Sequence, residues 1–138
     1  MLSKKTKYGL KALSYLSKQE ENNPVLISDI STSENISRKF LESILLTLKR
    51  NGILSSKKGK GGGYFLLKKP NEIKISTVLR VLEGPIAMLP CVSLNYYERC
   101  DDCVNEEECS LSILMAEIRD STLKILENKT LANFHCED

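Results

Sequence analysis

Four cysteines, Cys91, Cys100, Cys103 and Cys109, fall within nineteen residues in the order C-x8-C-x2-C-x5-C. Thiols this dense, in a chain whose first residues do not read as a secretion signal, point to metal or iron-sulfur ligation first and to redox sensing second. Ligation needs thiolates converging on one point from a segment that can curl, and the acidic and aromatic filler between these residues suits such a loop. Four thiolates satisfy tetrahedral zinc equally well, and Cys100 with Cys103 forms a C-x2-C half-site. A thiol-disulfide switch and plain buried cysteines complete the alternatives. An oxidoreductase using Cys100 and Cys103 is disfavoured, because Asp101, Asp102 and Glu106 to Glu108 would raise the thiolate pKa that such chemistry needs lowered. His135 and Cys136 are expected to lie in a fraying terminus rather than to act as ligands.

The elements that position this loop carry opposite charges. Residues 1–80 hold sixteen Lys/Arg against six Asp/Glu, net +10, and residues 81–138 hold four against twelve, net −8, giving the total of +2. A basic N-terminal portion suits a phosphate backbone, and the acidic remainder should face away from it. The 41% hydrophobic and 28% charged composition is that of a globular chain. Lys11 interrupts the apolar N-terminal run and no small-residue cleavage site follows, so a signal peptide is not expected. The uncharged stretch Gly84 to Tyr97 contains Pro85 and Pro90 and is too short for a membrane span. The expected location is the cytoplasm.

Apolar positions Gly9, Ala12, Leu13 and Leu16 recur at helical spacing and predict a first helix over Thr6 to Gln19. Asn22, Asn23 and Pro24 end it, Val25 to Ile27 reads as extended, and Ser28 can cap a short helix to Ser33. Asn35 and Ile36 make a turn. Ser37 then caps a longer helix to about Asn51, with Gly52 as its left-handed stop. Phe40, Leu41, Ile44, Leu45 and Leu48 form its apolar face, and Arg38, Lys39, Glu42, Ser43, Lys49 and Arg50 lie outside. Leu46 sits on the polar side and is expected to meet another element. Short helix, tight turn and longer helix is helix-turn-helix spacing, in which the start of the second helix enters the major groove. Ser37, Arg38, Lys39 and Glu42 are therefore the candidate DNA contacts.

Ile53 to Ser56 and Tyr64 to Leu67 are short apolar runs flanking Lys57-Lys58-Gly59-Lys60-Gly61-Gly62-Gly63. This predicts a β-hairpin with a glycine-rich tip, a wing whose Lys57, Lys58 and Lys60 can follow phosphates or enter the minor groove. A nucleotide-binding P-loop is the competing reading and is disfavoured by context: a strand follows the glycines where a helix is required, and the Gly-Lys-Ser/Thr ending is missing.

Together, Ile30 through Ser37, Phe40-Leu41-Glu42, Leu48, Asn51-Gly52-Ile53-Leu54-Ser55-Ser56 and Gly59-Lys60-Gly61-Gly62-Gly63-Tyr64 resemble the winged-helix family of bacterial iron-sulfur and cysteine-metabolism regulators that includes IscR, NsrR and CymR. The resemblance covers almost the whole chain, and the Gly-Gly-Gly-Tyr wing followed by a cysteine cluster is its specific part. It implies a homodimeric transcription regulator whose C-terminal helix joins the protomers and whose cysteine loop holds a cluster. It also places Ser37 and Glu42 at groove-reading positions, and Lys58 where some members carry an arginine, which keeps the charge but loses the planar fork. Family members usually ligate through three cysteines with five residues in each gap. Here only Cys103 to Cys109 has that gap. Cys91, Cys103 and Cys109 match the trio best, and Cys100 either completes an all-thiolate site or replaces Cys103.

Ile75, Val78, Leu79 and Leu82 predict a connecting helix to Glu83, ended by Gly84 and Pro85. After Cys109, Leu111, Leu114, Met115, Ile118, Thr122 and Ile125 keep helical spacing to about Glu127, a stripe that suits a partner across a two-fold axis. Leu131 and Phe134 are expected to pin the tail. The expected fold is mainly α with a small β-hairpin wing: a winged helix-turn-helix in residues 1–84, a cysteine-rich cluster-binding loop in 85–109, and a dimerisation helix with its tail in 110–138. The expected function is a homodimeric regulator, not an enzyme, that binds a two-fold double-stranded DNA operator under the control of an iron-sulfur cluster. The 4Fe-4S type is placed ahead of 2Fe-2S, with zinc as the alternative.

Overall fold

The computed structural model describes residues 2–134. Its helices are α1 (Lys4–Ser17), α2 (Ile27–Glu34), α3 (Arg38–Arg50), α4 (Ile75–Leu82) and α5 (Ser110–Glu127), with one antiparallel hairpin of β1 (Leu54–Lys57) and β2 (Gly63–Leu66) between α3 and α4. Mainly helical with a two-stranded wing is the expected architecture. His135 and Cys136 lie outside the described residues.

Helix α1 starts two residues before the predicted Thr6, because Ser3 caps it: Ser3 Oγ accepts from the Thr6 backbone N–H at 3.3 Å. Its inner face buries Leu10, Ala12, Leu13 and Leu16. Gly9 on the same face packs so closely that a Cβ there would collide with the Leu82 side chain, so glycine sets how near α4 can approach α1.

Helix α2 differs from expectation at its start. It begins at Ile27, with Leu26 in the cap position and no side-chain cap, rather than behind a Ser28 cap. The sheet dictates this. Val25 exchanges two backbone hydrogen bonds of 2.8 Å with Tyr64, and the chain turns into α2 one residue after leaving that bridge. At the other end Asn35 takes the left-handed conformation at φ 54°, and Ile36 is buried while Ser31 Oγ donates to its carbonyl at 2.6 Å. Ser37 Oγ then accepts from the Phe40 N–H at 3.2 Å, a cap whose loss costs about 1 kcal/mol. The expected turn and cap are thus both present.

Helix α3 inserts Leu41, Ile44, Leu45 and Leu48, all fully buried, between α1, α2 and α4. Phe40 is half-buried and meets Tyr8 of α1 edge-on, ring centroids 5.6 Å apart. Leu46, expected to meet another element, is 40% exposed, since its side of α3 turns away from the three helices that cover the opposite face. Gly52 at φ 75° ends the run and delivers the chain to β1.

The hairpin pairs Leu54 with Leu66 and Lys57 with Gly63. The tail then closes the unit from behind. After α5, Leu131 N–H donates to the Ile73 carbonyl and Ile75 N–H to the Lys129 carbonyl, both at 3.0 Å. Leu131 is fully buried in the winged core and Phe134 packs against it, as expected for residues that pin the tail. Part of the C-terminal segment therefore belongs structurally to the N-terminal core.

Candidate nucleic-acid interface and cysteine loop

Because α3 spends one face on the core, its other face is left to solvent. Ser37, Arg38, Lys39 and Glu42 are all exposed there, as the sequence requires of groove contacts. Arg38 Nε lies 3.7 Å from Glu42 Oε1, one helical turn away. An exposed pair of this kind adds little stability but holds the carboxylate over the first turn of the helix.

The wing tip needs its glycines. Gly59 and Gly61 have φ of 86° and 74°, and a Cβ on Gly62 would strike the Lys57 carbonyl. Lys57, Lys58 and Lys60 project from this tip and are exposed. Lys49 at the end of α3 donates from Nζ to Ser56 Oγ of β1 at 2.6 Å, fastening the wing to α3. That link was missed in the sequence, where Lys49 is one exposed cation among many. A serine facing up from the first strand was its only trace.

Behind this surface, Glu83 at the end of α4 accepts from the Ser3 backbone N–H at 3.0 Å, from Ser3 Oγ at 2.9 Å and from the Thr6 hydroxyl. These bonds, that of Thr6 first, hold its carboxyl below the usual carboxylate range. The start of α1 and the end of α4 are joined there, at the junction with the cysteine segment.

The four cysteines sit as follows. Cys91 is half-buried in the short 3-10 turn Pro90–Val92, and its Sγ lies 4.0 Å from Ser112 Oγ of α5. Cys100 is exposed, and Cys103 N–H donates to its carbonyl at 3.2 Å, closing a tight turn. Cys109 is half-buried in the cap position of α5. Cys91 and Cys100 line one cleft of about 220 Å³ together with Pro90, Glu98, Arg99 and Asp101. A hydrogen bond to Asp102, with desolvation next, raises the Cys100 pKa and keeps it a thiol. Tyr97 donates to Glu106 at 2.5 Å, which spans the loop from its first half to its second and raises the tyrosine pKa.

All four cysteines are free thiols, and among the described residues no three His, Cys, Asp or Glu side chains are gathered closely enough to hold a metal ion. The donors fit an iron-sulfur cluster or zinc in kind and not yet in position. Convergence would require the segment from Ser93 to Asn105, which has no helix or strand, to fold over. Arg119 was also missed. Its Nη1 donates to the Val92 carbonyl at 2.8 Å, tying the cysteine loop to α5. Its isolated position in an acidic half is the trace it left in the sequence.

Helix α5 buries none of its residues, and Leu111, Ile113, Leu114, Ile118 and Ile125 are 37–62% exposed. Its C-terminal end is nonetheless anchored, since Glu127 reaches Lys74 at 3.2 Å and Arg80 at 3.7 Å. Among the described residues no helix is long and apolar enough to cross a membrane.

Comparison with known proteins extends over the same residues. Residues 2–137 match the family described as "Rrf2: Iron-dependent Transcriptional regulator". A Rhodobacter capsulatus protein described as an HTH-type transcriptional regulator, rrf2-like, is 40% identical over 134 residues, 95% of this chain and 89% of that one. The structure described as "CymR (YrzC) the Global Cysteine Regulator of B. subtilis" superposes with a TM-score of 0.78 at 30% identity, covering 96% of this chain and 94% of that one. That of T. potens IscR does so with a TM-score of 0.73 at 27% identity, covering 96% and 84%.

Proposed function

The chain belongs to the Rrf2 family of DNA-binding transcriptional regulators, and from that premise we propose that it acts as a cytoplasmic homodimer on a two-fold operator, with the cysteine loop setting its affinity. It is a regulator and not an enzyme, as its relatives are. Ser37, Arg38, Lys39 and Glu42 enter the major groove, where a carboxylate can accept from cytosine and the cations meet guanine or phosphate. Lys57, Lys58 and Lys60 follow the adjacent backbone. The exposed apolar side of α5 packs on its copy across the two-fold axis, which fixes the separation of the two groove helices.

The observation that carries this reading is the fastening of the cysteine loop to α5. Arg119 and Ser112 connect the Pro90–Val92 turn to the helix whose apolar side is unpaired, and Glu127 connects that helix to the winged core. A change at the thiols therefore reaches both the protomer contact and the DNA-reading unit.

For the switch we propose an iron-sulfur cluster, 4Fe-4S ahead of 2Fe-2S, with Cys91, Cys103, Cys109 and Cys100 as candidate ligands and zinc as the alternative metal. Such a cluster, when bound, supplies a group whose charge and integrity respond to the redox environment. The chain supplies the thiols, the segment from Ser93 to Asn105 that carries Cys100 and Cys103, and Cys109 at the start of α5. A second reading, a metal-free thiol switch, draws support from the shared cleft of Cys91 and Cys100 and from similarity to a structure described as a cysteine regulator. Anaerobic purification with iron, sulfide and zinc analysis, followed by operator titration, separates the three. A brown protein with iron and sulfide supports the cluster, a colourless one with stoichiometric zinc supports zinc, and a metal-free protein whose affinity follows thiol oxidation supports the switch.

A further inference from the structure

Leu46 is not among the core residues, to which α3 contributes Leu41, Ile44, Leu45 and Leu48 at 0% exposure and the half-buried Phe40. It stands 40% exposed in the middle of the helix, on the side that carries the groove contacts. Lys39, Glu42, Ser43 and Leu46 are spaced i, i+3, i+4, i+7 and form one stripe. Groove helices of homeodomain type read bases with the same spacing. At a rise of about 1.5 Å per residue, Leu46 lies roughly 10 Å along the axis from Lys39, inside the length a helix can lay in a groove about 12 Å wide.

The chemistry around Leu46 narrows what it can meet. The Ser43 hydroxyl donates to the Phe40 carbonyl at 2.9 Å, the Thr47 hydroxyl to the Ser43 carbonyl at 3.0 Å, and Lys49 to Ser56 at 2.6 Å. The Ser43 and Thr47 hydroxyl protons beside Leu46 are thus committed within the protein, and Leu46 is the apolar side chain that the exposed stripe offers a base pair. In the major groove the one apolar feature of a base edge is the 5-methyl group of thymine.

We propose that Leu46 is a specificity-determining residue that packs on a thymine methyl in each half-site. The inference rests on the reading of α3 as the groove helix.

The test takes the full chain and a duplex selected from random sequence by the wild-type protein, then replaces thymines by uracil one position at a time in both half-sites. Uracil keeps every hydrogen-bonding group and lacks only the methyl. Loss of one methyl contact should weaken wild-type binding about fourfold per half-site, roughly fifteenfold for the duplex, at a single position. Leu46→Ala, checked as folded by circular dichroism and unchanged in oligomeric state by light scattering, should bind the thymine and uracil duplexes equally at that position. Wild-type indifference to uracil everywhere overturns the proposal, as does a Leu46→Ala protein that keeps the discrimination or changes its oligomeric state. Failure of the groove-helix reading itself looks different: Glu42→Ala and Lys39→Ala would then leave the selected sequence preference intact.

Discussion

Arg119 of α5 donates to the backbone carbonyl of Val92 at 2.8 Å, and its side chain is only 17% exposed. This bond crosses from α5 to the residue beside Cys91. A hydrogen bond from a charged donor contributes about 1.5–3 kcal/mol, and the lower figure corresponds to roughly tenfold in a local opening equilibrium. Arg119→Ala should therefore speed amide exchange through the Cys91 turn about tenfold while leaving α3 and the wing unchanged. Unaltered exchange at that turn would show that the loop is held by other contacts.

The wing should act on DNA through charge. Replacing Lys57, Lys58 and Lys60 with alanine removes up to three phosphate contacts, so the slope of log affinity against log salt should flatten by up to about 2.7. The loss should be similar for every sequence. Glu42→Ala should instead relax base preference with little change in slope. Anisotropy titrations at four salt concentrations check both, and an unchanged slope in the triple variant removes the wing from the interface.

Helix α5 should hold the dimer. Ile118 is 37% exposed in the single chain, so Ile118→Asp is tolerable in a monomer and places an unpaired charge in the interface of a dimer. The expected result is dissociation in sedimentation experiments and a matching fall in operator affinity. A folded Ile118→Asp dimer would place the interface elsewhere.

Glu83 should make the α1–α4 junction acid-sensitive. Its carboxyl is held below the usual range by Thr6 and Ser3, so the folded state favours the charged form. The stability it contributes is present above the ordinary carboxylate pKa and is lost as pH falls through the lower, folded value. Glu83→Gln should melt below wild type at neutral pH, and the two melting curves should converge at strongly acidic pH. A difference that persists there would assign the effect to shape rather than charge.

These residues also mark what the sequence made legible. Ser37, Asn35 and Gly52 announced the helix-turn-helix because caps and left-handed positions are local, and the buried stripe of α3 announced itself by periodicity. The links from Arg119 to Val92, Glu83 to Ser3 and Glu127 to Lys74 were not legible, since they join residues 27, 80 and 53 positions apart and any exposed charge could have made them. The start of α2 was misplaced for the same reason, set by a bridge from Val25 to Tyr64 rather than by the nearby Ser28. In the cysteine segment, residue types gave the chemistry, but a loop without periodicity carries no signal for which thiols meet.

If the cysteine loop controls operator binding, DNA affinity must follow the metal and thiol state of the loop. The direct test is the operator affinity of one anaerobic preparation, measured as purified and again after metal removal and full thiol reduction, at a single salt concentration and with metal content determined in both states. The expected difference in Kd is at least tenfold, equivalent to about 1.4 kcal/mol between the two dimer geometries. Equal affinities in two states shown to differ in metal or thiol content would contradict it and leave the loop a structural element.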